Sequence, residues 1–171
     1  MHVLFVCTGN ICRSPLAERL AVALAAESGI EDFSASSAGT RAVVGSPIEP
    51  TAARVLEGLG GNPDGFRARR LTPEIASAAS IVLTMTEAHR DEVLNLTPGQ
   101  LRSTFTLRAA ARLTAASGAR TVAELFSAQP HFAATGSDDI RDPIGRDEAT
   151  FVAIGSEIAG LLVPVLKALW H

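Results

Sequence analysis

The chain has 171 residues, 47% hydrophobic and 19% charged, enough apolar material for one domain with a sizeable core and too little charge for a disordered segment. Its formal net charge of −3 provides no global basic field for nucleic acid or an anionic membrane, so an anionic substrate must be held by local features. Its two cysteines, Cys7 and Cys12, share one short segment, which argues against a disulfide scaffold, and His2, His89, His131 and His171 show no zinc-ligand spacing.

From the N-terminus, Val3–Val6 is a continuous apolar run, the pattern of a central parallel strand covered on both faces, and too short for a signal peptide. A cytoplasmic protein is therefore expected. Leu16, Leu20 and Leu24 mark a helical face through about Ser28, stopped by Gly29. Phe33–Ala38 reads as a weaker strand ending in Gly39, and residues 50–59 as a helix closed by Gly60 and Gly61. A basic, turn-rich loop (62–70) leads to a short helix opened by Thr72-Pro73-Glu74, a strand over Ile81–Met85 and a helix over Glu87–Leu96. Thr104–Leu107 suggests a fourth strand, and residues 108–134 an alanine-rich helical region broken by Gly118 and Pro130. After a polar loop (136–145), the apolar stretch to Trp170 carries Glu157, Pro164 and Lys167 and reads as a core-packed final helix rather than a membrane span. Strand–helix alternation without repeats predicts one α/β domain with a mostly parallel sheet. Ligands of such sheets bind beyond the carboxyl ends of the strands, where Cys7 falls.

The segment Cys7-Thr8-Gly9-Asn10-Ile11-Cys12-Arg13-Ser14 joins the first strand to the first helix and carries the chemistry. A helix N-terminus offers free N–H groups and about half a positive charge, so the backbone of residues 8–14 can cradle a tetrahedral anion. Gly9 supplies conformational freedom, Asn10 tolerates left-handed geometry, and Arg13 can clamp two phosphate oxygens. A positive helix terminus beside an arginine favours thiolate over thiol, so Cys7 is a candidate nucleophile needing no histidine. Ser14 can cap the helix, with Pro15 suited to its first turn, or donate to the Cys7 sulfur at the expense of capping. The loop lacks the Gly-Lys-Ser/Thr ending of a Walker A motif, and the chain has no dinucleotide fingerprint.

A thiolate attacking a phosphate ester needs a proton donor for the departing oxygen. Asp138, Asp139 and Asp142 are the candidates, and Asp142 is the best placed because Pro143 restricts it to extended geometry. The same aspartates can instead read as a solvated turn capping the last helix.

With these residues in view, the chain resembles the low-molecular-weight protein tyrosine phosphatases. The resemblance rests on Val3–Glu18, then Ser37-Ala38-Gly39-Thr40, Ala68-Arg69-Arg70-Leu71-Thr72, Leu83-Thr84-Met85 and Asp142-Pro143, in family order along nearly the whole chain. It implies a single domain over residues 1–171 with a four-stranded parallel sheet, helices on both faces, no metal and no cofactor. By carry-over, Cys7 is the nucleophile that becomes a phosphocysteine, Arg13 binds the phosphoryl oxygens, and Asp142 protonates the leaving group and then activates water. Asn10 holds the loop, Ser37 supports it, Ser14 bonds the thiolate, and Cys12 resembles the family's second cysteine, able to pair reversibly with Cys7. The implied partners are a phosphorylated protein or a small phosphate ester, and inhibitory oxyanions such as phosphate or vanadate, with no nucleic acid and no membrane.

The chain departs from the family at the rim. Ile144 follows Asp142-Pro143 where an aromatic residue is common, Arg41-Ala42-Val43-Val44 replaces a frequent second aromatic, and Phe66 stands where many relatives place a histidine. Relatives of the arginine-phosphatase type carry threonine at the position of Ile11, and an apolar Ile11 resembles the tyrosine-directed pattern. Three other readings stay open: a phosphatase for a small metabolite, a non-catalytic oxyanion-binding or redox module, and an arsenate reductase, which needs more cysteines than two.

Overall fold

The computed structural model describes residues 1–170; His171 lies outside them. Four strands, β1 (His2–Cys7), β2 (Ser34–Gly39), β3 (Ile81–Thr84) and β4 (Thr104–Thr106), form one parallel sheet in the order β2-β1-β3-β4. The connecting helices are α1 (Arg13–Glu27), α2 (Pro50–Gly58), α3 (Pro73–Ser77), α4 (Glu87–Leu96), α5 (Leu107–Ser117), α6 (Val122–Ala128) and α7 (Glu148–Leu169).

The unbroken apolar run of β1 is explained by its central place. Val3 and Phe5 face one core with α1, α2, α5 and α7, whereas Leu4 and Val6 face a second, smaller core with α3 and α4. All four side chains are buried, as period-two alternation requires when both faces of a sheet are covered. The expected architecture of four parallel strands with helices on both faces is the one observed.

Most helix boundaries follow from local chemistry. Thr72, Thr86, Thr106 and Thr121 each accept a backbone N–H three residues on, starting α3, α4, α5 and α6. Gly118, at φ +71°, closes α5 in the left-handed conformation and splits the alanine-rich region where expected. Asp147, not one of the earlier aspartates, caps α7. That helix is apolar and long enough to cross a membrane by length and composition, but here it packs Phe151, Ile154, Ile158, Leu162 and Leu166 against α1, α2 and α5.

Strand order places the site. The chain runs from β1 outward to β2 and then returns past β1 to β3, and α1 and α4 leave for opposite faces of the sheet. A crevice therefore opens at the carboxyl ends of β1 and β3, beside Cys7.

Candidate active site

The loop after β1 is shaped by its carbonyl groups. Cys7 O accepts from Thr40 N, Thr8 O from Arg41 N, Gly9 O from Val43 N and Ile11 O from Glu49 N, at 2.8–3.0 Å. Each of these carbonyls is tied outward to the 39–49 segment, and a trans peptide plane points the following N–H the opposite way. The N–H groups of Thr8, Gly9, Asn10, Ile11 and Cys12 donate to no acceptor among the described residues. They form a concave array of donors at the start of α1, the geometry of an oxyanion nest.

Asn10 is the loop's keystone. It holds φ +56°, the only non-glycine residue with positive φ among the described residues, and is fully buried. Its side chain compensates for the strain: Oδ1 accepts Arg69 N at 2.9 Å, while Nδ2 donates to Ser14 Oγ at 2.9 Å and Ser37 Oγ at 2.8 Å. The left-handed geometry falls on Asn10, the residue expected to tolerate it, and Gly9 is not among the positive-φ glycines. A Cβ at Gly9 would meet Ile11 and Val43 only at ordinary contact distance.

Ser14 caps nothing. The residue flanking α1 is Cys12, without a side-chain cap, and Ser14 sits inside the first turn with Oγ 2.9 Å from Cys7 Sγ. Because Ser14 Oγ accepts from Asn10, its own hydrogen is free for the sulfur. Ser37 likewise accepts from Asn10 and donates to Glu18 Oε2 at 2.5 Å. Burial pushes Glu18 up from the usual carboxylate range, opposed by the Ser37 hydrogen bond and the nearby Arg19 and Arg69. A continuous hydrogen-bonded chain thus links Glu18 to Cys7 Sγ. Glu18 and the Arg69 backbone were not singled out in the sequence as supports of Asn10, although both lie in the segments that carry the family resemblance.

Arg13 and Asp142 meet across the crevice. Arg13 is buried and donates from Nη1 to Ile140 O at 2.8 Å; its Nη2 lies 3.4 Å from Asp142 Oδ2. Asp142 is half exposed, and its Oδ1 accepts Ile144 N at 3.1 Å, a turn that sets the carboxyl direction along with Pro143. The other two aspartates of the segment have different tasks. Asp139 accepts Glu87 N at the start of α4, and Asp138, buried, is clamped by both terminal nitrogens of Arg112. The segment is therefore held from both ends rather than being a solvated turn.

Cys7 and Cys12 are both buried free thiols. Burial, then the charges of Glu49 and Cys7, push the Cys12 thiol up, which keeps it protonated. Val43, Val44 and Ile144 are all exposed, Val43 N bonding Gly9 O and Ile144 N bonding Asp142 Oδ1, and Ile11 stands with Val43 beside Gly9. On the other flank a cleft of about 440 Å³ is lined by Thr8, Arg13, Arg41, His89, Arg141 and Asp142, among others. Phe66 is buried under the guanidinium of Arg19, and it is Arg69 N that bonds the loop asparagine's Oδ1.

Residues 2–109 match the family model described as low molecular weight phosphotyrosine protein phosphatase. The low molecular weight protein-tyrosine-phosphatase Etp of Escherichia coli (strain K12) is 36% identical over 96 residues, 56% of this chain and 62% of that protein. Among solved structures, a low molecular weight protein tyrosine phosphatase from T. tengcongensis shares 29% identity with a TM-score of 0.77, covering 98% of each chain. The arginine phosphatase YwlE from Geobacillus stearothermophilus shares 29% identity with a TM-score of 0.75, covering 98% of this chain and 92% of that one.

Proposed function

Since the chain belongs to the low molecular weight phosphotyrosine protein phosphatase family, we propose that it hydrolyses phosphomonoesters, foremost phosphotyrosine in proteins, at the Cys7 loop. One observation carries this reading: the loop's carbonyls turn outward, its N–H groups turn inward, and Cys7, Arg13 and Asp142 converge on that concavity.

The Cys7 thiolate attacks phosphorus, forming an S–P bond as the ester P–O bond breaks. The N–H groups of residues 8–14 and the Arg13 guanidinium hold the equatorial oxygens, where charge is spread in the transition state. Asp142 gives its proton to the departing oxygen and then, as carboxylate, takes a proton from the water that hydrolyses phosphocysteine. Ser14 stabilises the sulfur as it leaves. General acid catalysis of this kind contributes about 10²- to 10⁴-fold.

An aryl phosphate is favoured over phosphoarginine because Ile11 and Val43 form an apolar wall beside Gly9 with no acceptor for a guanidinium. A second reading, a small alkyl or sugar phosphate, draws on the exposed aliphatic Val43, Val44 and Ile144 in place of aromatic walls. Hydrolysis of para-nitrophenyl phosphate with EDTA present tests the mechanism. Wild type is expected to turn over, Cys7→Ser to lose turnover while still binding phosphate, and Asp142→Ala to slow mainly on esters with poor leaving groups. An inactive reduced wild type that binds phosphate would point instead to a binding or redox module. Comparing aryl, sugar and alkyl phosphates then chooses the substrate class; faster turnover of small non-aryl esters would displace the phosphotyrosine assignment.

A further inference from the structure

The supports of the phosphate loop come almost entirely from the β2 side: Thr40, Arg41, Val43, Ser37 and Arg69. Besides Asp142, which meets Arg13, a second side chain reaches it from across the crevice. His89, in the first turn of α4, places Nε2 2.8 Å from Thr8 Oγ1. Thr8 directly follows the nucleophile, and its N–H is one of the inward donors. We propose that His89 is a positioning residue of the phosphate loop, holding Thr8 from the α4 side so that the donors next to Cys7 keep their aim.

Packing alone gives no account of this ring. His89 is 4% exposed, and its Nδ1 is buried without a partner among the described residues. An apolar side chain would fill the space without orphaning a nitrogen, since a buried polar atom without a hydrogen bond is destabilising. His89 also lines the cleft that Arg13 and Asp142 share, so its ring stands beside the reacting groups without touching Cys7. Burial and the charge of Arg13 hold it down to about 4 against Asp139 and Asp142, so at neutral pH the imidazole has one donor and one acceptor. Thr8 is thereby held at two of its three polar groups, its carbonyl by Arg41 N just past β2 and its hydroxyl by His89 of α4, which leaves its N–H facing inward. The bond spans 81 residues and crosses the point where the strand order reverses.

The kinetic part of the test rests on the phosphatase reading, while phosphate binding measured by calorimetry does not. Thr8→Val and His89→Leu are each expected to lower kcat/KM for para-nitrophenyl phosphate by about 10- to 100-fold and to weaken inorganic phosphate binding in parallel. The Thr8→Val/His89→Leu double variant should be no worse than the poorer single, because both remove one bond. His89→Gln, whose amide offers a donor and an acceptor, should recover most of the loss. A merely structural histidine would lower the melting temperature and the active fraction but leave KM and phosphate affinity unchanged. Unchanged phosphate affinity in Thr8→Val, or losses that add in the double variant, would overturn the proposal. Thr8→Val decides the matter if His89→Leu does not fold. A wild type that binds phosphate without turnover sinks the phosphatase reading and leaves the binding comparison intact.

Discussion

Asn10 concentrates more of the site than any other residue. It supplies the loop's left-handed turn and joins Arg69, Ser37 and Ser14 through one amide. Asn10→Ala keeps the positive φ without the hydrogen bonds and leaves three partners unsatisfied. A loss of about 2–4 kcal/mol in stability is expected from denaturant unfolding, with a larger proportional fall in phosphate affinity. The Ser14 hydroxyl is the route by which that network reaches the sulfur. Ser14→Ala should therefore slow breakdown of the phosphocysteine, where the sulfur leaves, more than its formation; rapid-mixing kinetics would show a larger burst of phenolate before a slower steady state.

The site depends on close approach between segments. At Gly39, the last residue of β2, an added Cβ would lie 2.4 Å from Thr8 O, a backbone atom with no freedom to move aside. Gly39→Ala is expected to displace the loop, weakening phosphate binding at least tenfold with stability falling by about 1–3 kcal/mol; calorimetry and urea unfolding check both. The acid-bearing segment is anchored differently. Arg112 of α5 clamps Asp138 and also donates from Nε to Phe132 O at 3.2 Å, so the loop that carries Asp142 is tied to a helix four residues before the acid. Removing the clamp in Arg112→Ala leaves Cys7 and Arg13 in place. Turnover of esters with poor leaving groups should fall more than that of para-nitrophenyl phosphate, since only the former depend strongly on a well-placed proton donor.

Across the molecule, His89 links the site to stability. Its folded value of about 4 lies below the ordinary 6.5, so between these pH values the unfolded chain binds a proton that the folded chain does not. Stability is therefore lost as pH falls through that window, by up to about 3 kcal/mol from this one group. Urea unfolding of wild type and His89→Gln at pH 7 and pH 4.5 should show a smaller acid loss in the variant; equal losses would contradict the assignment.

Much of this was legible in the chain. The β1 run, the helix over 87–96, the Thr72 cap, the Gly118 stop and the Cys7–Ser14 loop all rest on signals contained within a few neighbouring residues: apolar period, cap chemistry and turn geometry. Those signals also pointed to Cys7, Arg13 and Asp142, because a nucleophile, an anion clamp and a rigid Asp-Pro are recognisable by type and spacing. Tertiary structure decided which groups meet. Of the two roles open to Ser14, helix cap or sulfur partner, the second is taken, with Asn10 occupying its oxygen. Glu18 and Arg69 joined the loop, and Asp138 left the acid's company for Arg112. His89, which carried no ligand spacing, arrived beside Thr8. These contacts join residues separated by 27 positions for Asn10 and Ser37, 81 for Thr8 and His89, and 127 for Arg13 and Ile140. Backbone propensity acts over one or two turns of chain, whereas a side-chain hydrogen bond across such distances exists only after strand order and register have set both ends.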